Sequence, residues 1–282
     1  MKKTMLAVSL IILIGIASGC LGGSTPTTTS STSTTSSTTQ ATTTTTSTTT
    51  TTTTPNPLQS IRNSIEGINQ FTYDGNTSIH MNVTVLMPNL TQNNTIALFM
   101  HEKGYIDLSS LEAVINTTTV TEPDNTTLTT IRVIKNGKTY LKTVFGSGVT
   151  ALNVTNNVST FIWDYNPVSL AKRYINETPD KVVKNGETTQ LIYTLDWQDV
   201  KALAVLYLAI TNDTGIKIKG GKLILTFEGN ELTGVEVEYA VLATSIVKDS
   251  LLGQMTINIS AKGISKYRIT SINRKMNVEP PT

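Results

Sequence analysis

Over residues 79–87 apolar and polar side chains alternate almost without fault. Ile79, Met81, Val83, Val85 and Met87 fall on one side, and His80, Asn82 and Thr84 on the other. A period of two is that of a half-buried strand, whose successive side chains point to opposite faces. Pro88-Asn89 ends the run. Residues 94–108 predict a second strand, with Ile96, Leu98 and Met100 on one face and a bulge or bend at Gly104. The pattern continues over 111–120 and 128–135. Asn136-Gly137 then separates 131–135 from 138–142 and predicts a two-residue type I′ hairpin. A second Asn-Gly, Asn185-Gly186, predicts another hairpin between 181–183 and 189–195. Residues 222–227, 235–246 and 255–269 read as strands again, with turns at Gly220-Gly221 and Gly229-Asn230 and a bend at Gly263.

Helical spacing appears in three places. Leu58, Ile61, Ile65 and Ile68 predict a short amphipathic helix over 58–70, followed by a turn at Asp74-Gly75. An aromatic cluster, Phe161-Ile162-Trp163-Asp164-Tyr165, precedes Asn166-Pro167, which reads as cap and first position of a helix over 168–175. Asp196 caps a helix over 197–211, with Asp199 in the capping-box position. That helix is apolar nearly all round through 202–210, which predicts burial on most faces. The order of elements predicts an α+β fold: one long antiparallel sheet with few helices to cover it.

The chain begins with a basic start (Lys2, Lys3), an apolar core over 5–16 and small residues up to Gly19, the three parts of an export signal. The core falls short of the roughly 20 apolar residues a bilayer-spanning helix needs. Cys20 is the sole cysteine, so no intramolecular disulfide forms. Ala17-Ser18-Gly19-Cys20 resembles the lipobox of prokaryotic lipoproteins, with Ala17 where leucine is usual. The resemblance implies a diacylglyceryl thioether on Cys20, whose two chains meet the requirement for stable anchoring. Residues 24–54 are nearly all Thr and Ser, with Pro26, Gln40 and Ala41 as the exceptions. Such a tract buries no core and reads as a disordered, O-glycosylated stalk. The organisation expected is a lipoprotein signal peptide over 1–19, a lipidated cysteine and stalk over 20–57, a single domain over 58–277 and a tail over 278–282.

Charge narrows the partners. Loss of residues 1–19 removes Lys2 and Lys3 and no acid, which brings the 22 basic residues level with the 20 acidic ones. A neutral mature chain argues against nucleic acid and against electrostatic docking on anionic lipid. Asn-x-Ser/Thr acceptors at Asn76, Asn82, Asn89, Asn93, Asn116, Asn125, Asn153, Asn157, Asn176, Asn212 and Asn258 fit an exported glycoprotein. With the lipobox they point to an archaeal cell surface, the protein held on the cell membrane through Cys20 and facing outside.

No catalytic constellation is legible. His80 and His101 are the only histidines, and no Ser-His-Asp, His-x-x-x-His or phosphate-loop pattern is present. No catalytic residue, metal site or cofactor is therefore expected, and the chain reads as non-enzymatic. Met81, Met87 and Met100 fall on adjacent predicted strands, and methionine suits surfaces that accept variable shapes. The residues expected to line an apolar pocket are Met81, Val83, Val85, Met87, Leu98 and Met100 from the sheet, with Trp163, Leu203, Leu206 and Tyr207.

The element order over 58–277 resembles the LolA/LppX/LprG superfamily of lipoprotein carriers and lipid-binding lipoproteins. Smaller cues are Gly104-Tyr105-Ile106-Asp107, Lys138-Thr139-Tyr140-Leu141-Lys142, and Trp163 followed by Pro167. The resemblance implies a strongly curved antiparallel sheet, an incomplete barrel, wrapped over a few helices around an apolar pocket for lipid. The function expected is a lipid-anchored surface protein that binds a lipid or other apolar ligand. The alternative is a glycosylated interaction module or transporter accessory protein with a solid core. The sequence identifies no protein partner.

Overall fold

The computed structural model describes residues 57–145, 148–208, 215–249 and 253–281; the expected export signal, Cys20 and the expected stalk lie outside them. Eleven strands follow in order: β1 Gln70–Met87, β2 Leu90–Asp107, β3 Glu112–Glu122, β4 Thr126–Lys135, β5 Lys138–Phe145, β6 Val149–Thr155, β7 Lys181–Asn185, β8 Thr188–Thr194, β9 Gly215–Glu228, β10 Glu231–Asp249 and β11 Gly253–Ile272. The helices are α1 Pro57–Glu66, α2 Phe161–Asp164, α3 Pro167–Tyr174 and α4 Trp197–Leu208.

All eleven strands form one sheet in the order β6-β5-β4-β3-β2-β1-β11-β10-β9-β8-β7. Every neighbouring pair is antiparallel. The first and last strands meet in the middle, and a meander leads outward from each. The sheet is not closed. It holds 64% of the described residues against 15% in helices, so the fold is sheet-dominated and the expected α+β arrangement is incorrect. The helices are too few and too short to balance it: α1, α3 and α4 have their main backbone contacts with the sheet on β9 and β10.

The strands also run further than the sequence pattern shows. β1 starts nine residues before Ile79 because Phe71, Tyr73, Gly75 and Thr77 extend the same buried face. Asp74-Gly75, expected as a turn, lies inside β1, and Gly220-Gly221 lies inside β9. Thr77 remains buried by donating its hydroxyl to Ser265 Oγ at 2.8 Å, which satisfies both polar groups.

Glycine and tyrosine form a repeated device across the centre. Tyr73 pairs with Gly104, Tyr267 with Gly75 and Tyr239 with Gly263. Each ring lies where its glycine partner would carry a side chain; a Cβ on any of the three would come within 2.5 Å of it. At Gly104, where a bulge or bend is expected, and at Gly263, where a bend is expected, the ladder continues in register under a tyrosine ring, so neither is a bulge. The recorded register shifts fall elsewhere, at Thr72/Tyr73, Leu232/Gly234 and Ala240/Val241.

The turns follow their chemistry. Asn136 and Gly137 have φ of 52° and 69°, the type I′ hairpin their sequence predicts. In the second hairpin Asn185 pairs with Thr188, so Gly186 (φ 60°) is the first central residue and the turn is type II′. Asn166 caps α3 as expected: its Oδ1 accepts from Ser169 N–H at 2.8 Å, while its Nδ2 donates to the carbonyls of Ile162 and Trp163.

The main core lies on one face of the sheet, here called inner, where Ile79, Leu98, Leu223 and Val237 meet Ile65 of α1, Leu170 of α3 and Val200 of α4. On the outer face a smaller cluster seats Val278 against Tyr105 and Val133. Lys135 Nζ donates to the Val278 carbonyl at 2.6 Å and holds the segment after β11 in place.

Asp107 ends β2 buried. Burial alone would raise its pKa, but the hydroxyl and amide of Ser109 and the Ser110 amide, all donating to Oδ1, outweigh that and hold it at about 2. This lies below the unfolded value of about 3.9. The stabilisation is therefore complete above about pH 4 and lost as pH falls towards 2. Allowing for partial solvation, we expect about 1–2 kcal/mol of acid-sensitive stability. Urea unfolding at pH 5 and pH 2.5 should show it in the native protein and a much smaller difference in Asp107→Asn.

Candidate functional site

At the end of the inner face formed by the β1–β2 and β10–β11 hairpins, apolar rows become progressively exposed. Met81, Ala261 and Val241 are buried side by side, with Ile218 of β9 next in the row half-buried. In the next row Val83 and Ala243 are buried, whereas Ile259 and Ile216 are half-buried. Then Val85 is buried beside half-buried Ile257, whose β10 partner is half-buried Ser245. At the end, Met255 pairs with Val247, which is 38% exposed; Ile246 beside it in sequence points to the outer face. The reason is local. Among the described residues, helical cover lies mainly over β9 and β10, and strands of 18–20 residues extend beyond it.

The residues expected to line a pocket are distributed as follows. Met81, Val83, Val85, Leu98 and Leu203 are buried in the one core cluster. Met87, Met100 and Trp163 are partly buried at its margin. The side chains of Leu206 and Tyr207 lie outside the described residues. Of these, Val83, Val85 and Met87 adjoin the exposed rows. Sequence reasoning did not single out Ile257, Ile259, Met255, Ile216 or Ile218, although alternation over 255–259 was the available signal. On α4, Val200, Leu203, Ala204 and Leu208 are buried but Val205 is 38% and Trp197 58% exposed. The helix is therefore not buried on most faces; the side away from β9 meets solvent.

A second recess, ≈ 670 Å³, opens between β8, α3 and the start of α4. Its wall is held by a network around Asp199. Arg173 donates to one Asp199 oxygen and Tyr174 Oη to the other at 2.6 Å. The Asp196 amide donates to Tyr174 Oη at 2.7 Å. The tyrosine hydroxyl thus relays between cap and third residue, where a capping box would join them directly. Burial, and after it the bond to Asp199, raises the Tyr174 pKa. Arg173 also lies 4.9 Å over the Tyr165 ring, which stacks on Phe161. Tyr193, in the same recess, is pushed up to about 12 by burial.

Both histidines lie on the outer face. His80 meets Phe99 edge-on and His101 is 3.1 Å from Asn76 Oδ1. Among the described residues no three His, Cys, Asp or Glu side chains converge as metal ligands. Asn76, Asn82, Asn89, Asn93, Asn116, Asn125, Asn153, Asn157 and Asn176 are exposed, Asn258 is half-buried, and Asn212 lies outside the described residues. By register, Asn76, Asn82, Asn93, Asn116 and Asn258 share the outer face of the central strands. No described helix is long and apolar enough to cross a membrane. No protein-family model matches the chain. No curated protein matches it either.

Proposed function

We propose that this protein is a lipid-anchored binding protein on the outside of the cell membrane, non-catalytic, which holds an acyl chain or similar apolar ligand against the uncovered end of its inner face. The observation that carries the reading is the run of apolar rows whose exposure rises from Met81 to Val247. A contiguous apolar surface of this kind on an exported protein is the ordinary mark of a binding site. The placement of acceptors supports a division of labour, with N-glycans on the outer face and ligand on the inner one. Each buried methylene contributes about 0.8 kcal/mol. About ten of them supply the roughly 8 kcal/mol of a micromolar complex, before association costs are deducted.

The test is titration of a Cys20→Ser chain, free of its own lipid, with a fluorescent fatty acid. We expect micromolar binding that weakens at least tenfold in Ile257→Glu and Val247→Glu, at nearly unchanged unfolding temperature. Absence of binding, or equal binding in both variants, would sink the proposal.

A further inference from the structure

Four acceptor asparagines on the outer face share one device. Asn76 Oδ1 accepts from His101 Nδ1 at 3.1 Å, Asn82 Oδ1 from Thr95 Oγ1 at 3.0 Å, Asn93 Oδ1 from Thr84 Oγ1 at 2.8 Å and Asn258 Oδ1 from Thr244 Oγ1 at 2.9 Å. Each donor lies directly opposite its asparagine on the neighbouring strand. The cross-strand partner thus grips the carboxamide oxygen. Nδ2, the atom that bears an N-linked sugar, is left without a partner among the described residues. Asn76 also lines a recess of ≈ 330 Å³ on that face. Ser78 forms the floor, a small side chain between Phe99 of β2 and Ile264 of β11, and Val120 of β3 lies beyond Phe99. Ile264 and Val120 are half-buried, whereas Phe99 is 38% exposed although the His80 ring meets it edge-on. Asn76 is the diagonal neighbour of both Phe99 and Ile264, a separation of about 7–8 Å.

We propose that Asn76 carries an N-glycan whose first sugar is seated in this recess, on Phe99 and Ile264. The lining itself names the occupant, because the acceptor Asn76-Thr77-Ser78 runs from the rim to the floor. A pyranose ring presents a face of C–H bonds, which suits one aromatic and two aliphatic side chains, and a rim of hydroxyls, which suits Ser78 and Thr118. On attachment, Nδ2 bonds to the anomeric carbon of a sugar carried on a lipid phosphate. The carbon–oxygen bond to the phosphate breaks, the phosphate leaves with the electron pair, and Nδ2 gives up one proton. The inference rests on the exported, outward-facing reading above and deepens it: the sugar covers apolar surface on the outer face and so stabilises the sheet.

The experiment is peptide mass spectrometry and thermal unfolding of the full Cys20→Ser chain, made in a host that N-glycosylates exported proteins. We expect a glycan on Asn76, and an unfolding temperature about 2–4 °C lower in Asn76→Gln. Asn116→Gln removes an outer-face acceptor that does not line the recess, and should change it by less than about 1 °C. In a host without N-glycosylation Asn76→Gln should also shift it by less than about 1 °C, which separates the sugar from the lost His101 bond. In a Phe99→Ser background the glycan should remain by mass, but the cost of Asn76→Gln should fall below about 1 °C, since groups in contact do not act additively. A bare Asn76 in a secreted chain would overturn this proposal alone, whereas a bare chain retained in the cytoplasm would overturn the export reading with it. Equal unfolding temperatures of the native protein and Asn76→Gln, or an unchanged cost without the Phe99 ring, would show that no sugar is seated there.

Discussion

Gly263→Ala is expected to cost about 2–3 kcal/mol of folding stability, and Gly263→Val to prevent folding. A single Cβ there lies 2.4 Å from two atoms of the Tyr239 ring, which is 2% exposed and has nowhere to retreat. Overfilling a packed interior by one group ordinarily costs about 1–3 kcal/mol, and a ring pinned at the centre of the sheet belongs at the upper end. Gly220→Ala is the matched control. It lies in β9 with no atom within 4 Å of the added carbon, so it should change stability by less than about 0.5 kcal/mol. Urea midpoints compare the two directly. In a Tyr239→Leu background the further cost of Gly263→Ala should fall below about 1 kcal/mol, since residues in contact do not act additively. An unchanged cost would show that the ring is not the obstacle.

Asp199→Ala is expected to cost about 2–3 kcal/mol. The carboxylate is buried and accepts from both Arg173 and Tyr174. Its removal strands a guanidinium and a hydroxyl, and also frees the relay to the Asp196 amide. Breaking a buried pair typically costs about 3–5 kcal/mol, but the Arg173 side chain is 39% exposed and water recovers part of that. Tyr174→Phe, which removes only the relay, should cost about 1–2 kcal/mol. If thermal unfolding placed both variants within a degree of the native protein, the network would contribute nothing to holding α3 against α4.

These two sites show where the sequence is readable and where it is not. Alternation over 79–87 announces β1 because every inward position there is a large apolar residue. The same strand is hidden over 70–78, where the inward positions include a glycine roofed by a ring and a threonine paired with Ser265. The Asn-Gly at 136–137 and the cap at Asn166 are legible because φ and hydrogen-bond demands are local. Fold class is not, because nothing local tells β1 to pair with β11 or gathers the helices mainly over β9 and β10. The same limit governs the candidate sites. Periodicity assigns Met81, Val83 and Val85 to the inner face, whereas their burial, and the exposure of Val247 further along, depend on tertiary packing over each row. The recess beside Asn76 draws Phe99, Val120 and Ile264 from three separate strands, with no spacing that connects them.

The pairing of β1 with β11 governs the order in which the molecule is completed. About 190 positions of chain separate the two partners, while every other ladder joins strands that follow one another or, between β6 and β7, is absent. Each meander forms from near neighbours and is fast; the central seam must wait for the last strand to emerge, and closing so long a loop is slow. Until then, β1 and β11 each present a bare edge of 18 and 20 residues. Until the last strand arrives the molecule is two unfinished halves, and it needs protection at that seam more than anywhere else on its surface.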